Sequence, residues 1–183
     1  MEMFRNFRLS QGKLMLRRKM ARLKRTRFRG NMTNAKKIGI VWDASRPDEF
    51  TVLAQFHQKM AERNIDVKII GYYPGKEIPD RITAIRYLTC LKQPDLNFFY
   101  RPVTSEAASF MKTSFDILFD TNFRNLFPLQ YISCLSAAGI KVGIFENGYD
   151  HSPFDLMIEM KPGDLNGFFT QAVHYLEMIN TKN

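Results

Sequence analysis

Three carboxylates stand at the ends of short apolar runs: Asp43 after KIGIVW, Asp120 in FDILFDT and Glu146 closing KVGIFE. Acids gathered on one edge of a sheet can move protons or hold a metal-bound substrate, so this trio, with Ser45 and Arg101 nearby, outlines a small-molecule or nucleotide-binding enzyme. The surrounding residues do not name a reaction. The turn WDASRPDE has neither the glycine fingerprint of a dinucleotide site nor a Walker lysine. Ala44 and Ser45 leave Asp43 without the second acid of a two-aspartate phosphotransfer loop, and pairing with Asp120 requires that their strands be neighbours. A lone aspartate capping the next helix is the simpler account. His57 and His174 fall within helical patterns, and His151, in NGYDHSP, reads as an exposed loop residue. Cys90 and Cys134 sit in apolar segments without CxxC spacing or a paired histidine, which describes buried free thiols and no metal site. No Gly-x-Ser-x-Gly elbow occurs. The expectation is a noncatalytic protein without cofactor or metal.

Stronger chemistry lies at the other end of the chain. Residues 13–30, KLMLRRKMARLKRTRFRG, contain no acid. Up to Lys37 there are 13 Lys and Arg against the single acid Glu2, a balance of +12, whereas from Ile38 onward 14 basic residues face 17 acids, a balance of −3. Such segregation marks an extension that meets a polyanion, because each Lys or Arg placed on a phosphate releases a condensed counterion. The candidate contacts are Arg5, Arg8, Lys13, Arg17, Arg18, Lys19, Arg22, Lys24, Arg25, Arg27 and Arg29. Arginine outnumbers lysine there by eight to five, which favours forked phosphate contacts and stacking on exposed bases.

Leu9, Leu16 and Leu23 recur every seven residues, so the arm predicts a basic helix over 12–27 with a thin apolar stripe. Like charges three and four apart repel, so this helix gains order only when phosphates neutralise it or its leucines dock on something apolar. Alternative occupants are an acidic protein or an anionic membrane surface, though the stripe is thin and lacks Trp. An Arg-rich, acid-poor segment also fits a transit peptide, but serine is scarce. A start at Met32 is a further reading, one that leaves the first strand intact. No run of 18 apolar residues and no secretory block occurs, which leads to the expectation of a cytoplasmic protein with no transmembrane segment.

The elements that must position these residues divide the chain into an arm, 1–36, and a domain, 37–183. With 183 residues, 45% hydrophobic, one core is expected. Short apolar runs alternate with helical patterns, the layout of a three-layer, doubly wound, mostly parallel α/β sheet of five or six strands. KIGIVWD and DVKIIGYY read as strands flanking a helix that Ser45 caps and Pro47 opens. Residues 82–91 are ambiguous between helix and strand, and 96–100 reads as a strand, so that Phe98, Phe99 and Tyr100 become core although they could stack bases. SEAASFMKTS, PLQYISCLSAAG and GDLNGFFTQAVHYLEMIN read as helices, and FDILFDT, KVGIFE and the edge segment DLMIEM as strands. Ligands of such sheets bind at the carboxyl-terminal rim of the strands.

The basic arm, KKIGIVWD, DLNFFYRP, FDILFDTNF and GIKVGIFENGYDHSPFDLMIEM together resemble an uncharacterised family of short bacterial α/β proteins, a domain of unknown function. The resemblance implies the fold and a bacterial cytoplasmic setting, and brings no activity or catalytic residue with it. Taken together, the sequence leads to the expectation of an RNA-binding protein anchored by its arm, associated with ribosomal RNA and possible ribosomal-protein neighbours.

Overall fold

A computed structural model describes residues 2–145 and 152–179. Its centre is a six-stranded, all-parallel sheet made of β1 (Lys37–Asp43), β2 (Asp66–Tyr73), β3 (Leu88–Lys92), β4 (Ile117–Thr121), β5 (Ile140–Ile144) and β6 (Leu156–Ile158). Their order is β3-β2-β1-β4-β5-β6, so the chain winds outward from β1 in both directions. The central strands are buried on both faces, which explains why they read as continuous apolar runs. Ile38, Ile40, Trp42, Ile117, Phe119 and Val142 point to one face, under α2 (Phe50–Glu62) and α6 (Leu165–Met178). Val41, Ile70, Leu118 and Leu91 point to the other, under α4 (Ser105–Lys112) and α5 (Phe127–Leu135).

Local sequence accounts for several of these boundaries. Thr104 caps α4 by accepting from the Ala107 N–H at 3.2 Å, and Asp164 caps α6 through the Gly167 N–H at 2.8 Å. Pro128 sits in the first turn of α5, where its missing N–H costs nothing. The approach to α2 corrects the expectation: Ser45 caps no helix, and a 3-10 turn over Pro47–Glu49 leads directly into α2. The ambiguous stretch resolves into one helical turn, α3 (Asp80–Thr83), followed by β3. Residues 96–100 are not a strand. Asn97 ends the extended run, its Oδ1 accepting from the Phe99 N–H at 3.0 Å and the Arg101 N–H at 3.1 Å, and the chain folds back to the single Leu96–Pro102 bridge.

The largest departure from expectation is at the N-terminus. The basic helix α1 spans Glu2–Met20, starting ten residues before the expected 12–27 and ending seven before it. It lies against the outer side of α5, adding a layer to that face of the sandwich. Its leucine stripe docks on an apolar surface of the same chain, one of the two ways in which such a helix gains order. Residues 21–36 then run back along the sheet, and Met32 and Ala35 are fully buried in the main core. Asp116, just before β4, seals the junction by accepting from the Lys36 and Lys37 N–H groups at 2.7 and 2.9 Å. Residues 2–36 are thus packed onto the rest of the domain, with Leu16 and Met32 among its buried residues.

Candidate nucleic-acid interface

An α-helix turns 100° per residue, so Leu9, Leu16 and Met20 share one side of α1. That side packs on Phe127, Tyr131 and Cys134 of α5. Gly12 lies in the middle of the seam, where an added Cβ would stand 2.5 Å from the Phe99 carbonyl oxygen and 2.9 Å from the Phe127 ring. Glycine permits the close approach that the two leucines then consolidate. Docking by a narrow stripe leaves the rest of the helix surface in water. Arg5, Arg17, Arg18 and Lys19 are exposed on it, with the Lys19 ammonium 5.6 Å from the Tyr131 ring centre. Arg22, Lys24 and Arg29 are exposed on the segment that follows, whereas Lys13 is half-buried. Among the described residues, no carboxylate forms an ion pair with Arg5, Arg18, Arg22, Lys24 or Arg29.

Two expected phosphate ligands have other duties. Arg25 makes a forked pair with Asp155, at 2.7 and 2.6 Å, and also donates to the Ala138 carbonyl at 3.1 Å. Arg27 contacts the same carboxylate from a more exposed position. Asp155 further accepts from the Lys141 N–H at 2.9 Å, so this anchor ties the basic segment to β5 and to the approach to β6. Beneath it, Lys141 is 1% exposed and donates from Nζ to the Cys134 carbonyl at 3.0 Å. Burial lowers its ammonium to about 7, with the neighbouring Arg25 charge acting in the same direction. Burial likewise pushes the Cys134 and Cys90 thiols up to about 12, in keeping with unreactive thiols.

Arg8 is the third basic residue with an internal role. Its guanidinium lies 4.5 Å from the Phe98 ring centre and 4.3 Å from that of Tyr100, and Nε donates to the Phe98 carbonyl at 2.6 Å. Tyr100 has φ of 58°, uncommon for an aromatic residue. The expected core aromatic Phe98 is instead 50% exposed. The residues missed by sequence reasoning are its neighbour Phe4 and, one turn along α1, Phe7, which are 58% and 55% exposed. They precede the helix expected over 12–27, and only the tertiary placement shows them more than half exposed.

At the sheet rim, β1 and β4 are neighbours, so the condition for pairing Asp43 with Asp120 is met. The two acids nevertheless have separate surroundings. Asp43 Oδ1 accepts from the Ser45 N–H at 3.1 Å and its hydroxyl at 2.7 Å, while Oδ2 accepts from Arg124 Nε at 2.5 Å. Arg124 also reaches the Ser45 hydroxyl, and its guanidinium is held above its usual range by the hydrogen bond to Asp43. Asp120 Oδ1 accepts from the Asn122 N–H at 2.8 Å, while the Asn122 side chain bonds the Leu126 N–H and carbonyl ahead of α5. Glu49 is buried nearby, bound at 3.1 Å by Trp42 Nε1, and burial pushes its carboxyl up. Arg101 is half-buried at the end of the loop over 97–101, and Glu146 and His151 lie outside the described residues. His57 stacks on Tyr87 with ring centres 3.7 Å apart.

Among the described residues, no group of three or more His, Cys, Asp and Glu could hold a metal ion, and no helix is long and apolar enough to cross a membrane. No curated protein matches the chain. A protein family does match, from the seam of α1 through the last turn of α6: over residues 10–179 the chain belongs to the family of unknown function DUF6913.

Proposed function

We propose that the protein is a noncatalytic RNA-binding protein whose basic helix and following segment grip the phosphates of a structured RNA, ribosomal RNA being the class that suits such arginine-rich extensions. The observation that supports it is the placement of Arg5, Arg18, Arg22, Lys24 and Arg29 on a surface where, among the described residues, no carboxylate pairs with them. Fixing cations before the ligand arrives reduces the ordering cost of binding. Arg25 and Arg27 hold the segment in place through Asp155, and the exposed residues beside them supply the phosphate contacts. Ribosomal proteins would then be neighbours in the particle rather than the primary ligand.

The test is binding of the full chain to a ribosomal RNA fragment across a salt series, with a triple variant carrying Arg18→Glu, Arg22→Glu and Lys24→Glu. With about six to ten phosphate contacts, affinity falls by roughly three to five orders of magnitude between about 50 and 200 mM salt. The triple variant binds more weakly, and its log–log salt slope shrinks by about 0.7–0.9 for each phosphate it no longer neutralises. A salt-insensitive affinity would sink this reading.

A second reading is favoured by the strand order, which puts a topological switch point between β1 and β4, where doubly wound sheets hold ligands. There Asp43, Ser45 and Arg124 meet in one cluster. A small-molecule or nucleotide enzyme using that crevice, with Asp120 and Glu146 as further acids, is supported if a metabolite raises the melting temperature and Asp43→Asn abolishes the shift.

A further inference from the structure

The free end of α1 and the loop over residues 97–101 form a surface of unusual composition. Phe4 meets Phe98 edge-on, with ring centres 5.8 Å apart and an interplanar angle of 77°, and Phe98 meets Phe99 at 5.2 Å and 89°. Phe4, Phe7 and Phe98 are each at least half exposed, among the least favourable residues to leave in water. The display is held firmly. Asn97 clamps the loop through two backbone N–H groups, and Tyr100 occupies a left-handed conformation that an L-aromatic side chain adopts only when its surroundings enforce it. Arg8, gripped between Phe98 and Tyr100, fixes the loop to the helix and sets a delocalised cation beside the exposed rings.

Resting on the reading that the basic surface binds RNA, we propose that Phe4, Phe7 and Phe98, with Arg8, form a stacking platform for unpaired bases, so that the preferred ligand is a single-stranded or looped RNA segment whose phosphates continue onto the basic face of α1. Charge decides the occupant. The rings stand among Arg5, Arg8 and the cations farther along α1, and a nucleic acid strand offers flat apolar rings and negative charge in one polymer. A duplex offers only the charge, because its base faces are stacked internally. An interfacial helix buries one continuous apolar face in lipid. The apolar residues of α1 instead divide between two sides: Leu9, Leu16 and Met20 are turned to α5, and Met3, Phe7 and Leu14 are turned to water.

The experiment compares the full chain with Phe98→Ala and Phe4→Ala/Phe7→Ala variants, all altered only at exposed rings and checked for unchanged melting temperature. The probes are a single-stranded RNA of about twelve nucleotides carrying 2-aminopurine, the same sequence as a duplex, and phosphatidylglycerol vesicles. Expected results are tighter binding to the single strand than to the duplex, quenching of 2-aminopurine on binding, and a drop of roughly ten-fold or more in single-strand affinity for each variant, with the salt slope unchanged. Equal affinity for strand and duplex, undisturbed by Phe98→Ala, overturns the platform and leaves the phosphate reading standing. Failure to bind either RNA overturns both. Vesicle binding that depends on Phe4 and Phe7, without quenching by RNA, assigns the surface to lipid and also overturns the proposal.

Discussion

Lys141 sets the tightest constraint among single residues, because a buried ammonium must be either neutral or compensated. Burial lowers it to about 7, and the charges of Arg25 and Arg27 add to the effect while Cys134 and Asp120 oppose it. Unfolding returns the amine to its ordinary value of about 10.4, so between pH 7 and about 10 the unfolded chain binds more protons than the folded one. Stability therefore rises with pH across that window, and this residue adds no slope below it. Lys141→Met removes the charge while keeping the length of the side chain. Urea melts at pH 7 and pH 9.5 should show the variant gaining relative to the native chain at pH 7 and the difference narrowing at pH 9.5; a difference independent of pH contradicts the assignment. The lysine was legible in KVGIFE as the polar position of a strand, but strand periodicity alone assigned it no partner. Its ammonium is enclosed between the end of α5, where it meets the Cys134 carbonyl, and the segment that carries Arg25, an arrangement that joins distant parts of the chain.

At the scale of elements, the parallel strands were readable because both of their faces are covered and their runs are continuously apolar, as in KIGIVWD and ILFDT. The helices α2, α4, α5 and α6 were readable from their periodicity and, for α5, from Pro128, whereas the caps Thr104 and Asp164 emerged only in the structure. Two misreadings have different physical causes, tertiary contact in one and a local side-chain bond to the backbone in the other. In the arm, good helix formers continue to Arg27, yet the helix stops at Met20 because Arg25 must reach Asp155 and Met32 must reach the core. In the middle section, LNFFY has the composition of a strand, but Asn97 satisfies two backbone donors itself and turns the chain. The α1–α5 seam offers a test with a counterintuitive sign. On helix propensity alone Gly12→Ala stabilises α1 by about 1 kcal/mol. With a Cβ forced to 2.5 Å from the Phe99 carbonyl oxygen, it should instead destabilise the protein by roughly 1–3 kcal/mol and hasten protease cleavage within residues 2–20, as chemical denaturation and limited proteolysis would show. A stabilised variant would mean that the seam is looser than described.

For the molecule as a whole, the segregation of +12 and −3 was visible in the composition, and so was the fold class. What composition concealed is that the charged part is also structural. Leu16 and Met32 are 3% and 0% exposed, and their burial alone stabilises the protein by about 3–6 kcal/mol, much of the margin of an ordinary domain. A chain beginning at Ile38 should therefore melt at a lower temperature, and the uncovered Phe127 and Tyr131 should bind a hydrophobic dye; an unchanged melting point would show the arm to be dispensable. Charge reversal at exposed sites is consequently the better way to test the proposed RNA binding.

The seam between α1 and α5 also has a consequence in time. Gly12 and Phe127 are 115 residues apart (127 − 12), so during synthesis the helix leaves the ribosome long before the surface that seats it has been made. At about 5–20 residues per second that interval is roughly 6 to 23 seconds. Throughout it the cationic, leucine-bearing helix lacks the surface that seats it, so its docking waits on residues that are made much later.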